Sequence, residues 1–255
     1  MTKPLLNPPC TGWREDLPSP HVLPDSETLL GRKTPNHLDS TYFELPRTTI
    51  SPRGIMSALI ALASPILLFN TYSIIFEFNA LGPKFIPLNI FELGLIVWVV
   101  TFGIRIDIAP PRDSPIRFNR ARQKIYAYNF KYQWWNPFGK WRVTPVSYDW
   151  SQVRAERWSH IGAVSGGLIF KWGVELSIVE PGTNDVIDRF NLSTMDADVN
   201  TWAYICTYMQ EGPDALPPPG PPKDHNDVLW CEFALRLAPK VSWPPDMDLE
   251  SRTAP

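Results

Sequence analysis

Residues 55–76 read IMSALIALASPILLFNTYSIIF, 22 residues without a charged side chain. As a helix this run is about 33 Å long at about 1.5 Å per residue, enough to cross the hydrocarbon core of a bilayer. Pro65 and Asn70 lie inside it. A membrane helix tolerates an internal proline where neighbours satisfy the freed carbonyl. A second apolar stretch covers about residues 87–106 and contains LNIFELGLIVWVVTFGIRI. The link between them, EFNALGPKF, carries the turn residues Asn79, Gly82 and Pro83. So short a link leaves only an antiparallel hairpin. The alternative, two buried core helices, suits the first run poorly, because it exceeds the usual length of a core helix's apolar stretch.

Glu92 is the one charge clearly inside the second span. It lies about four residues past the entry, roughly 6 Å deep. It is either an intramembrane polar site or a side chain that snorkels to the interface, towards Lys84. The flanks set the orientation. Arg112, Arg117, Arg120, Arg122 and Lys124 follow the hairpin and Arg47 and Arg53 precede it, whereas the link holds only Glu77 and Lys84. The bias of Lys and Arg to the inner side places both termini in the cytoplasm. There Cys206 and Cys231 stay reduced and have no need to pair. The mean hydropathy of −0.16 averages this hairpin with polar flanks and so conceals it.

Residues 1–54 form a proline-rich arm, with prolines at 4, 8, 9, 18, 20, 24, 35, 46 and 52. Those residues exclude long helices and central strands. The early prolines and acids also break any secretory signal. Both an extended arm packed on another surface and a disordered tail fit this composition.

Residues 108–211 carry alternating apolar patterns that read as short antiparallel strands. Ser114–Arg120 and Lys124–Phe130 flank NRARQ as a hairpin. Trp141–Val143, Val146–Trp150, Val153–Trp158, Gly167–Glu180 and Val186–Leu192 follow. In Gly167–Glu180, Leu168, Phe170, Trp172, Val174, Leu176 and Ile178 share one face. Asp196 and Asp198 then suit a helix start. Val199, Trp202, Ala203, Cys206 and Met209 recur at helical spacing, which predicts an amphipathic helix over about 195–211, ended at Glu211-Gly212-Pro213.

The fold class is therefore α+β. A transmembrane hairpin over 55–107 precedes an antiparallel, pleckstrin-homology-like barrel closed by a helix, or a flatter sheet of the same elements. Residues 212–255 form a proline-rich extension with LPPPGPPKDHND as a stiff connector. Within it, 228–237 docks as a short helix or strand and the end at Pro255 frays.

The net charge of −2 excludes the global basicity that drives non-specific nucleic-acid binding. Residues 112–157 hold ten bases against three acids, and residues 158–255 six against fourteen. The basic half can contact anionic headgroups, and Arg117, Arg120, Arg122 and Lys124 are the candidates, with Trp134 and Trp135 for a partner or lipid surface. No nucleophile or phosphate-loop pattern is complete. GAVSGG lacks the G-x-S-x-G frame and FGK at 138–140 stands alone. His21, His37, His160 and His225 are scattered. The expectation is no enzyme, no metal and no cofactor.

PIRFNRARQKIYAY, followed by VSYDWSQVRAE, resembles the bacterial domain family of unknown function numbered 6708 over roughly residues 50–210. The first motif is also similar to the hairpin of membrane-anchored pleckstrin-like domains. The family resemblance implies a two-span inner-membrane protein encoded beside type VI secretion effectors. It implies an immunity or accessory protein that binds an effector toxin or a secretion component. The other expectation is a lipid-associated sensor or scaffold.

Overall fold

The computed structural model describes residues 3–22, 27–30, 34–47, 53–76, 86–164, 167–194, 199–222, 224 and 226–255. Helices α1 (Ile55–Phe76) and α2 (Ile86–Ile108) are both long and apolar enough to cross a membrane. They pack on each other and leave Leu62, Ile66, Phe69, Ile90 and Phe91 exposed. The link, with Glu77 and Lys84, lies outside the described residues. At the base of the hairpin, Asp107 accepts hydrogen bonds from the Ser57 backbone N–H (2.6 Å) and hydroxyl (2.8 Å). The α2 carboxylate thus satisfies a free amide in the first turn of α1, where helix dipoles favour negative charge. Gly103 lets the helices approach, since a Cβ there would lie 2.6 Å from Ile60 Cδ1.

The strands divide between two antiparallel sheets. One has the order β1-β7-β8-β9, the other β2-β3-β4-β5-β6. Three of these strands come from the arm: β1 (Trp13–Asp16), β2 (His37–Leu38) and β3 (Tyr42–Leu45). The prolines bracket them without interrupting them. Four strands follow the expected segments: β4 (Ile116–Asn119), β5 (Lys124–Lys131), β8 (Gly167–Val179) and β9 (Val186–Thr194). Strand β6 (Arg142–Asp149) fuses two expected strands across Pro145, and β7 (Val153–Val164) runs six residues further than the pattern suggested. Barrel closure by pairing between the sheets is not seen among the described residues.

The sheets and helix α3 (Val199–Gln210) share one core. Phe43, Ile116, Phe118 and Ile125 of one sheet and Val153, Val174, Leu176 and Ile178 of the other join Trp202, Ile205 and Met209 of α3 in it. Trp150 packs on Trp202 at 5.5 Å and edge-on to Phe118 at 6.0 Å. The helix was expected to bury one face, yet Thr201 through Met209 are all buried. The arm supplies the missing cover: Trp202 Nε1 donates to the Pro18 carbonyl and Gln210 Nε2 to that of Pro20, both at 2.9 Å. Gly212, at φ +99°, ends α3 by donating its N–H back to Tyr208. Asp196 and Asp198 lie outside the described residues.

The C-terminus does not fray. Helix α4 (Phe233–Leu237) lies beside α2, and α5 (Pro245–Arg252) covers the outer face of β4. On that face Arg117 is 2 % exposed. It donates to Glu44, to Asp248 (2.7 Å) and to the Ser251 hydroxyl (2.7 Å), and lies 4.5 Å from the Trp243 ring centre. Tyr126 and Tyr128 pack on Trp243 beside it. Strands β3, β4 and most of β5 are thus buried on both faces. Arg117→Ala would remove the buried cation shared by Glu44 and Asp248, and breaking a buried ion pair typically costs about 3–5 kcal/mol. The expected outcome is a large drop in the denaturation midpoint of the full chain in detergent, with α5 becoming protease-sensitive.

Candidate functional site: the helix-bearing edge

Chain direction places one edge of the body next to the hairpin. Strand β4 begins eight residues after α2 ends. Arg47 sits beside that start and donates to three carbonyls: Ser114, Tyr128 (2.9 Å) and Asn191 (3.3 Å). Burial pushes its guanidinium down to about 10, so it stays cationic at neutral pH. The three carbonyls belong to the start of β4, the later half of β5 and the later half of β9. The β5–β6 loop therefore emerges on the side of α2.

That loop, residues 132–141, is aromatic. Tyr132, Trp134, Trp135 and Phe138 are all exposed. It lies along α2 rather than away from it. Trp98 Nε1 donates to the Trp135 carbonyl at 3.4 Å. Arg105 donates to the carbonyls of Pro137 and Gly139 (3.0 Å for the latter), with its guanidinium 4.7 Å from the Trp141 ring centre. Phe102 meets Trp141 edge-on at 6.2 Å. On the C-terminal side, Arg112 donates to the carbonyls of Asn226, Leu235 and Arg236 and so holds α4 at the hairpin base. Gly54 abuts Phe233 and Ala234 there, with a Cβ position 3.1 Å from the Phe233 ring. Trp230, Phe233 and Leu237 are exposed next to it. The base of the hairpin is thus flanked by two aromatic segments.

The basic candidates are placed elsewhere. Arg117 is buried, as described. Arg122 donates to the carbonyls of Thr253 (2.9 Å) and Ala254 (2.8 Å), and Lys124 pairs with Glu250 at 2.8 Å. Asn119, between them, donates to the Ser251 carbonyl at 3.1 Å. These three bases therefore bind the chain's own C-terminus, and Arg117 is not on a surface at all. Arg120 stands apart, half-buried beside Gly212, with its guanidinium 3.4 Å from the Glu211 carbonyl. Trp134 and Trp135, in contrast, are both exposed at the helix-bearing edge. Glu92 faces α1, where Asn70 Nδ2 donates to it at 3.3 Å, so it is an interhelical partner. His37 pairs with Asp39 and stacks on Tyr42. His225 lies outside the described residues.

Sequence reasoning missed the segments that complete these surfaces. Neither Arg47 as a clamp nor Arg105 under the aromatic loop carried a signal, since each binds backbone carbonyls of distant residues. The α5 helix did have a legible start, with Pro245 at its first turn followed by Asp246 and Asp248. All three cysteines are free, Cys10 and Cys206 buried and Cys231 exposed. Among the described residues no group of three His, Cys, Asp or Glu side chains is arranged to hold a metal.

A model of the family described as "Family of unknown function (DUF6708)" matches residues 93–235. The chain belongs to this family. The matched range starts inside α2 and ends inside α4, further along the chain than the motifs implied. The DUF6708 region thus includes the aromatic loop, the β7–β8 hairpin and α3, while α1, the arm strands and α5 fall outside it. No curated protein matches the chain, and no solved structure does.

Hydrogen bonding from Lys124 holds the Glu250 carboxyl below its ordinary range. Its folded pKa is therefore below the unfolded one. The contact stabilises above the ordinary carboxylate range and is lost as pH falls through the folded value. The pair is partly exposed, so its worth is under about 1 kcal/mol. Hydrogen exchange of the α5 amides should quicken on acidification, and Lys124→Met should remove most of that dependence.

Proposed function

We propose that this protein is a non-enzymatic, two-pass membrane protein whose body binds a protein partner. The observation that carries the reading is the outward apolar surface of α1 and α2, sealed at its base by Asp107 and bolted to the body through Arg47 and Arg112. Trp134 and Trp135 along α2, and Trp230 beside α4, suit the aromatic band at a membrane–water interface. The Lys and Arg residues flanking the hairpin support a topology with both termini and the body on the cytoplasmic side of a bacterial inner membrane.

Within that frame the partner is an effector toxin of type VI secretion or a component of the secretion apparatus, and the role is immunity or assembly. What supports this assignment is the family resemblance of the sequence motifs and the organisation of the chain, a two-sheet body joined to two apolar helices. Such a protein acts by occupying its partner, without turnover.

A lipid-sensing role for a basic rim of Arg117, Arg120, Arg122 and Lys124 has less support, because the C-terminal segment already holds three of those side chains and Arg120 is half-buried against the Glu211 carbonyl. Lipid contact belongs instead to the aromatic edge.

The test is co-expression of the full chain with the product of the adjacent gene. The expected outcome is a detergent-stable complex of fixed stoichiometry and rescue of growth where that product is toxic. Absence of both would overturn the reading.

A further inference from the structure

We infer that the outer part of the β7–β8 hairpin, around Ile161, Phe170 and Trp172, is a third membrane contact, a β-ribbon that meets the headgroup region of the leaflet that α1 and α2 enter. The inference rests on the reading of α1 and α2 as membrane spans.

The ribbon outruns its sheet. Strand β1 stops pairing with β7 at Trp13–Trp158, and β9 stops pairing with β8 at Thr194–Gly173. The Ser159 N–H still donates to the Gly12 carbonyl at 2.9 Å, and beyond it, among the described residues, β7 and β8 pair only with each other, in register from His160–Lys171 to Val164–Gly167. Five residues per strand extend about 16 Å at about 3.3 Å per residue.

Its direction follows from the Arg47 clamp. That guanidinium ties Asn191 of β9 to the start of β4 and to Tyr128, at the edge from which α2 departs. Asn191 is opposite Glu175 of β8. Strand β9 runs towards the helix-bearing edge, so antiparallel β8 comes from it, and residues before Glu175 lie on the helix side of the body.

The chemistry of the ribbon matches such a place. Residues 161–170, IGAVSGGLIF, contain no charge, and His160 and Lys171 bound them on either strand. Ile161 is 59 % exposed, Phe170 53 % and Trp172 40 %. Phe170 and Trp172 continue the face of β8 whose Val174, Leu176 and Ile178 fill the core. The stripe is an extension of the core face with nothing of this chain over it among the described residues. An uncharged end followed by a basic and aromatic collar is the order found across a membrane interface. A two-stranded ribbon also has unpaired backbone groups on both edges, which cannot enter hydrocarbon at acceptable cost. Its depth is therefore limited to the headgroup–acyl boundary, about 5–10 Å.

The experiment uses the full chain with Cys231→Ser in nanodiscs of phosphatidylcholine and phosphatidylglycerol containing shallow doxyl-labelled lipid. An environment-sensitive fluorophore is placed at Phe170→Cys, with references at Leu62→Cys in α1 and Asn184→Cys in the distal β8–β9 turn. The expected result is loss of most emission at 170 and at 62, with emission at 184 retained. Ile161→Glu should restore emission at 170 without affecting 62. Quenching at 62 alone overturns the proposal and leaves the membrane reading intact. No quenching at either position overturns both. A blue-shifted but unquenched signal at 170 means that protein, such as a second copy, covers the ribbon, and also overturns the proposal.

Discussion

The orientation of this molecule depends on one guanidinium. Arg47, in the arm before α1, donates to the carbonyls of Ser114, just before β4, of Tyr128 in β5 and of Asn191 in β9, and so joins the two sheets. Hydrogen bonds from a charged donor are roughly twice as strong as neutral ones. The side chain also covers Phe190, 5.6 Å from the ring centre. Because the same residue is tethered by sequence to the start of α1, the clamp fixes which edge of the body faces the helices. The aromatic loop, the α4 segment and the direction of the β7–β8 ribbon all follow from that choice.

The tryptophans sort by this edge. Trp150 and Trp202 are buried in the core, and Trp243 is buried under the outer sheet face. Trp134, Trp135 and Trp230 are exposed around the hairpin base, and Trp172 is exposed on the ribbon. Large flat amphipathic rings suit both the packed interior and a wet–apolar boundary. Their number, conspicuous in a chain of 255 residues, reflects two separate uses of the same side chain.

What was legible in the sequence was local. The two apolar runs, the NRARQ hairpin, the long β8 pattern and the start and stop of α3 all follow from periods of 3.6 and 2.0 and from Gly and Pro at the ends. The arm was harder. Strands β1 and β3 are four residues each, too short to show a period among nine prolines, and exist because β7 and β4 offer open edges to them. The full burial of α3 was hidden for the same reason, since its outer face is covered by Pro18 and Pro20, about 185 residues away in sequence. Glu92 was recognisable as the one charge inside the second apolar run, but its partner Asn70 was legible only as an interruption of the first run.

The apparent division into a basic half and an acidic half has a structural explanation that needs no external partner. Arg117 and Lys124 of the basic segment meet Asp248 and Glu250 of the acidic one, and Glu156 meets Arg189 in the opposite sense. A buried Arg–Glu pair is weak evidence of stability, because desolvation offsets much of the attraction. It does specify arrangement strongly: an α5 shifted by one turn would leave Arg117 facing no carboxylate but Glu44. The neighbouring donors reinforce that register, since Asn119 and Arg122 bind the carbonyls at the α5 end. Charge asymmetry in this chain is therefore first a code for closing the two termini over the sheets, with the arm on the inner helix and the C-terminus on the outer face. Only charges left over after that closure are available to a partner.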